Sequence, residues 1–181
     1  WSPLLDRVRH DRGEIEGMGA SPADLEWLER ELETLDRPAI LVTHAPVEYR
    51  SVYPVATLPR GGIPAGPETP PSAFVGGMTG IGRIRELLRN NRMVRACFAG
   101  HWHLNDAVEH DGVLHVMTGA LREYPFDVRL VELHDGGMRI TTQRLDVPEL
   151  IEFSFVREWG NRWIEGDAAV RDFEYQFPVV S

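Results

Sequence analysis

Two short runs, Ala39-Ile40-Leu41-Val42 and Val94 to Ala99, constrain this chain most, because each gives way at once to histidine. Brief apolar runs without polar alternation suit strands buried on both faces, the kind found in parallel sheets. The first run leads into Thr43-His44-Ala45-Pro46 and the second into Gly100-His101-Trp102-His103. Open α/β sheets place their sites just beyond the carboxyl ends of such strands. Three imidazoles delivered there make a workable set of metal ligands.

The segments around these strands set the fold class. Residues 1–20 are polar and glycine-containing and read as loop. Ser21-Pro22-Ala23-Asp24 opens a helix, with Ser21 as N-cap, Pro22 at the first helical position and Asp24 at a capping-box spacing. Leu25, Leu28, Leu32 and Leu35 form one apolar stripe, with Trp27 beside it. Residues 47–80 hold six prolines, Pro54 to Pro71, and several glycines, and read as a long irregular loop. Ile81 to Arg92 reads as a second amphipathic helix with Ile84, Leu87 and Leu88 inward. Two hairpins follow, turned at His110-Asp111-Gly112 and at Asp135-Gly136-Gly137. The order helix, strand, loop, helix, strand, then antiparallel strands predicts an α/β protein with a mixed sheet and flanking helices. From Leu150 the chain grows dense in aromatics (Phe153, Phe155, Trp159, Trp163, Phe173, Tyr175, Phe177), which predicts a segment that docks on this domain or on another chain.

Composition excludes several functions. With 43% hydrophobic and 26% charged residues over 181 positions, the chain has the makeup of a soluble globular domain. No apolar run approaches the roughly 20 residues of a membrane span. The formal charge is −9 and all 19 basic residues are arginine, so no basic field is available for nucleic acid. The same charge repels anionic substrates at long range unless bound cations offset it. The lone Cys97 excludes an intrachain disulfide and reads as a buried thiol. The chain starts at Trp1 rather than Met, so its compartment cannot be read.

On an extended segment, His101 and His103 would present both rings to one side, about 6–7 Å apart at the backbone. That spacing suits ligands to two cations about 3.5–4 Å apart. Gly100 would let the chain leave the strand at an angle a side chain obstructs. Asn105 stands two residues further on, where it could support a ligand by hydrogen bonding or simply form a turn. Arg122 could meet a phosphate with its planar fork, or form a surface ion pair. Tyr49, Tyr53 and Arg60 follow His44 on the proline-rich loop, where they could shape a substrate pocket or only pack the loop. His110 and His134 flank Asp-Gly turns and are expected to face solvent, and His115 lies in a strand. No Gly-x-Ser-x-Gly, glycine-rich phosphate loop or Cys-x-x-Cys is present.

With these motifs in place, the chain resembles the C-terminal half of a calcineurin-like metallophosphoesterase over about residues 10–145. The resemblance rests on the Leu25-Glu26-Trp27-Leu28 helix, Val42-Thr43-His44-Ala45-Pro46, the helix before the second strand, Gly100-His101-Trp102-His103, Thr118-Gly119-Ala120-Leu121 and the closing hairpin. It implies a four-layer α/β/β/α sandwich with a dinuclear site between two sheets. It further implies that His44 and His101 bind one cation and His103 the other, the cations being Fe, Mn, Zn or Co. The implied chemistry is hydrolysis of a phosphate mono- or diester by a metal-bound hydroxide. On this reading residues 1–145 are the C-terminal part of the phosphoesterase domain and 146–181 an aromatic-rich extension.

The sequence departs from the family pattern in one respect. The family's Asp-x-His and Gly-Asn-His motifs are absent, and the single Gly-Asp pair is Gly166-Asp167 near the far end. Alone, the chain is therefore expected to bind metal weakly and to be inactive, with the missing N-terminal half supplied by the same or a separate chain. A non-catalytic scaffold of the same fold is the alternative; the retained histidines weigh against it.

Overall fold

The computed structural model describes residues 8–9, 14–15, 19–50, 80–157 and 162–178. Tyr53 and Arg60, with most of the proline-rich loop, lie outside the described residues, as does Trp159. The chain divides into two compact units, one of residues 1–39 and 51–94, the other of residues 40–50 and 95–181.

In the first unit, strands β1 (Val8–Arg9) and β2 (Glu14–Ile15) pair antiparallel where the sequence reads as loop. Two-residue ladders are too short for period-two patterning to register. Helix α1 (Pro22–Glu33) starts as expected: Ser21 Oγ accepts from the Asp24 N–H at 3.2 Å, and the Ser21 N–H donates to Asp24 Oδ2 at 2.9 Å. Leu28 and Leu32 are buried on the stripe, whereas Trp27 is exposed. Helix α2 (Ile81–Asn90) buries Ile81, Ile84, Leu87 and Leu88. Arg83 pairs with Glu29, and Asn91 Nδ2 donates to the Leu32 carbonyl at 2.8 Å, tying the two helices.

The second unit holds the two larger sheets. Strands β3 (Ala39–Val42), β4 (Val94–Ala99), β5 (Asp106–His110) and β6 (Val113–Met117) form a four-stranded sheet in the order β3-β4-β6-β5. β4 and β6 run parallel and β5 returns antiparallel. The hairpin turn falls at Asp111 and Gly112, both at positive φ (51° and 78°), which matches the twist of the flanking strands. β7 (Asp127–His134), β8 (Gly137–Arg144) and β9 (Phe173–Gln176) form an antiparallel sheet in that order. Between β8 and β9 come helix α3 (Pro148–Arg157), a 3₁₀ turn (Arg162–Glu165) and helix α4 (Ala168–Arg171).

The period-two pattern decides where the core sits. Ala96 and Phe98 of β4, Leu114 and Val116 of β6, and Ala107 of β5 share one face. They pack against Met138 and Ile140 of β8 and Phe173, Tyr175 and Phe177 of the tail. The two sheets thus share a core, and the aromatic-rich segment supplies one of its strands. The structure is mixed α/β.

β3 departs from expectation. Its residues alternate between half-buried and exposed, with Ile40 37% and Val42 76% exposed. It is an edge strand of its sheet, and an edge position depends on long-range pairing that a four-residue apolar run cannot reveal. β6, by contrast, is buried at every residue, as a central strand should be. Among the described residues, no helix is long and apolar enough to cross a membrane.

Candidate metal centre

The carboxyl ends of three strands line up by main-chain bonds. Thr43 N–H donates to Phe98 O (2.9 Å), Gly100 N–H to His44 O (3.1 Å) and Thr118 N–H to Ala99 O (2.9 Å). His44 and His101 leave this edge next to each other. His44 Nε2 and His101 Nδ1 are 3.0 Å apart, with ring centroids at 4.9 Å. His44 is exposed and His101 half-buried.

The His-x-His segment is coiled, not extended. His101 (φ 66°) and His103 (φ 56°) both adopt the left-handed conformation, which costs a non-glycine residue about 1–2 kcal/mol. The Trp102 N–H donates back to the Gly100 carbonyl at 2.7 Å, a tight three-residue turn centred on His101. The expectation of two rings on one side of an extended strand is therefore corrected. Burial holds the strained turn: Trp102 is 7% and Leu104 1% exposed, while the histidines between and before them stay half-open. Tyr49 meets the Trp102 ring edge-on at 4.9 Å, so it braces this turn.

His103 takes a partner that the sequence did not announce: its Nδ1 bonds Glu123 Oε1. The side chains are 21% and 16% exposed. Arg122, which could meet a phosphate or form a surface ion pair, is exposed next to it. Nothing in the spacing marks Glu123, because the contact closes over 20 residues.

Asn105 anchors the whole turn. It is fully buried, and its main-chain N–H donates to Ile164 O at 2.9 Å. Its Nδ2 donates to Asp127 Oδ2 (2.7 Å) and Glu165 O (3.0 Å), and its Oδ1 accepts from Gly119 N–H (2.9 Å). Asp127, itself buried, is paired by Arg171 (2.7 Å) and Arg144 (3.0 Å). The adjacent Asp106 is buried and held by Arg50 at 2.5 Å. One amide thus fastens the histidine turn to the loop after β6, to the start of β7 and to the 3₁₀ turn. Buried ionic partners of this kind are tolerable because each retains several hydrogen bonds.

Electrostatics favour neutral imidazole at His101. Burial, followed by the charges His44 and His103 would carry, pushes it down to about 4. Neutral imidazole is the form that ligates a cation. The spacing also fits one: two nitrogens bound at about 2.1 Å and at right angles stand about 3.0 Å apart, against about 3.4 Å at a tetrahedral angle. The observed 3.0 Å matches the right-angled case, and it is also the distance at which the two rings share a proton. Among the described residues, no three His, Cys, Asp or Glu side chains converge to hold a metal ion. The arrangement is a pair of imidazoles with a third nearby, not a complete ligand shell. His115 is buried within β6, and His110 and His134 are exposed at their turns, as expected.

No protein-family profile and no curated protein matches the chain. Among solved structures, a crystal structure of a dimetal phosphatase from Danio rerio aligns with 88% of this chain, at 16% identity and a TM-score of 0.53. This chain spans 39% of that protein's length. What the two share, at that identity, is the fold.

Proposed function

We propose that His44, His101 and His103 are the imidazole donors of a dinuclear centre that hydrolyses a phosphate mono- or diester. The observation that carries this reading is the His44–His101 nitrogen pair, 3.0 Å apart at the ends of adjacent strands. The fold shared with a dimetal phosphatase supports it. His44 and His101 suit one cation and His103 the other. When bound, two cations (Fe, Mn, Zn or Co) supply Lewis-acid polarisation of the phosphoryl oxygens and acidify an attacking water. The chain's own residues bring the imidazoles together, keep His101 neutral and fix the turn through Asn105. Arg122, exposed beside Glu123, is the candidate to meet the substrate phosphate.

A dinuclear centre of this chemistry also needs oxygen donors. On this reading they come from polypeptide outside these 181 residues, in the same or a separate chain. The 181 residues alone then bind metal weakly and do not turn over. The test is hydrolysis of p-nitrophenyl phosphate and bis(p-nitrophenyl) phosphate by the protein expressed from its full reading frame, with each metal in turn. Metal-dependent turnover should fall at least about 100-fold in His44→Ala, His101→Ala and His103→Ala, because losing even an outer partner of a ligand costs about 10–100-fold. Turnover unmoved by the three replacements overturns the assignment of the histidines. No turnover with any metal overturns the enzymatic reading in favour of a non-catalytic scaffold.

A further inference from the structure

We infer that Glu123 is a positioning residue that fixes His103 in a single tautomer and so decides which ring nitrogen faces outward. It deepens the proposed function and rests on it only for what the outward nitrogen binds.

A carboxylate has no proton to donate, so with Glu123 in that form the bond between its Oε1 and His103 Nδ1 places the proton on Nδ1. In the neutral ring that leaves Nε2 as the lone-pair nitrogen. Imidazoles that ligate metals commonly donate their other N–H to a carboxylate in this way, which sets ring orientation and raises ligand basicity.

Glu123 is placed well enough to do this. Its loop is tied at four points. Gly119 N–H donates to Asn105 Oδ1 (2.9 Å), Tyr124 N–H to the buried Ser154 Oγ (2.8 Å), Phe126 N–H to the Glu123 carbonyl (2.7 Å) and Leu145 N–H to the Phe126 carbonyl (2.9 Å). Tyr124 is 3% and Phe126 7% exposed, so the residues that follow the carboxylate are seated in the core. Asn105, two residues from His103, grips the same loop at Gly119. Ring and carboxylate are therefore anchored to one another through a second, independent connection. A merely adventitious surface pair, between two mobile side chains, would lack it.

Two-bond ¹H–¹⁵N correlation spectra of the histidine rings, recorded on the metal-free chain at pH 7.5, read the tautomer directly. The wild-type His103 is expected as the Nδ1–H form. Glu123→Gln, which keeps an acceptor oxygen, should retain that form, and Glu123→Ala should move His103 towards Nε2–H. A wild-type His103 already in the Nε2–H form overturns the inference without any variant, as does a Glu123→Ala spectrum identical to the parent's. A simple packing role for Glu123 would change stability and leave the tautomer alone. Zn²⁺ titration of the same samples separates this inference from the proposed function. A tautomer shift with no Zn²⁺ binding in the wild type retains the positioning role and removes the metal reading. With binding, Glu123→Ala should weaken affinity about 10–100-fold.

Discussion

Replacing Asn105 separates shape from charge at the anchor of the histidine turn. Asn105→Ala removes three side-chain bonds, but their partners fare differently. Asp127 Oδ2 keeps Arg171 at 2.7 Å, and the Glu165 carbonyl keeps Arg171 at 2.8 Å. The Gly119 N–H loses the acceptor described for it, which costs about 1–3 kcal/mol with some lost packing besides. Asn105→Asp keeps the shape and the acceptor for Gly119, and instead sets a second carboxylate against Asp127. Two like charges about 3–4 Å apart at an effective dielectric near 20 repel by roughly 4–5.5 kcal/mol. Arg171 and Arg144 already face Asp127 and offset part of this, leaving about 2–4 kcal/mol. The two variants then diverge with pH. In Asn105→Asp the folded state raises the new carboxyl's pKa, so it holds more protons than the unfolded chain. Its penalty relative to the parent should shrink as pH falls from 7 to 5, whereas that of Asn105→Ala should stay flat. Urea unfolding midpoints of the three metal-free proteins across that range decide it. An Asn105→Asp protein within about 1 kcal/mol of the parent at pH 7, or a penalty that ignores pH, refutes the buried Asn105–Asp127 pairing.

In the metal-free chain, His101 is held to about 4 against an ordinary value near 6.5, so between those values the unfolded chain binds more protons than the folded one. Stability should fall as pH drops through that window and should fall less steeply in His101→Asn; equal slopes in urea titrations would refute it. Burial raises the Cys97 thiol to about 11, so the native chain should resist iodoacetamide at pH 8 and react only in denaturant. Gly166 sits at φ +73°, and an added Cβ would come 2.6 Å from Val170 Cγ2 and 2.8 Å from the Asn105 carbonyl. Gly166→Ala should therefore lower the melting temperature by several degrees through about 2–4 kcal/mol, whereas Gly82→Ala, with open space around it, should not.

Local physics made much of this fold legible. The capping box at Ser21, the leucine stripe and the Asp-Gly turns each act over a few residues, and all appear where the sequence places them. The two apolar runs leading into histidine are strands, and His44 and His101 meet just beyond their carboxyl ends because such ends gather at one edge of a sheet. What the sequence does not mark depends on distant partners. Neither His101 nor His103 is a glycine or asparagine, so nothing local signals their left-handed backbone; Trp102 and Leu104 impose it by burial. The edge position of β3 is set by what lies beside it, and the aromatic tail's role as a strand by β8, reached across more than 30 residues. Asp127 and Arg171 meet over 44 residues, and Glu123 meets His103 over 20. No sequence spacing encodes such contacts.

The most direct measurement is a metal titration of the histidine rings in this chain, followed residue by residue by ¹H–¹⁵N correlation with Zn²⁺ up to millimolar concentration. His44 and His101 should respond together with one midpoint, His103 should respond at its Nε2, and the exposed His110 and His134 should serve as unresponsive controls. Equal responses from the control histidines, or none from His44 and His101, would contradict a metal centre at these strand ends.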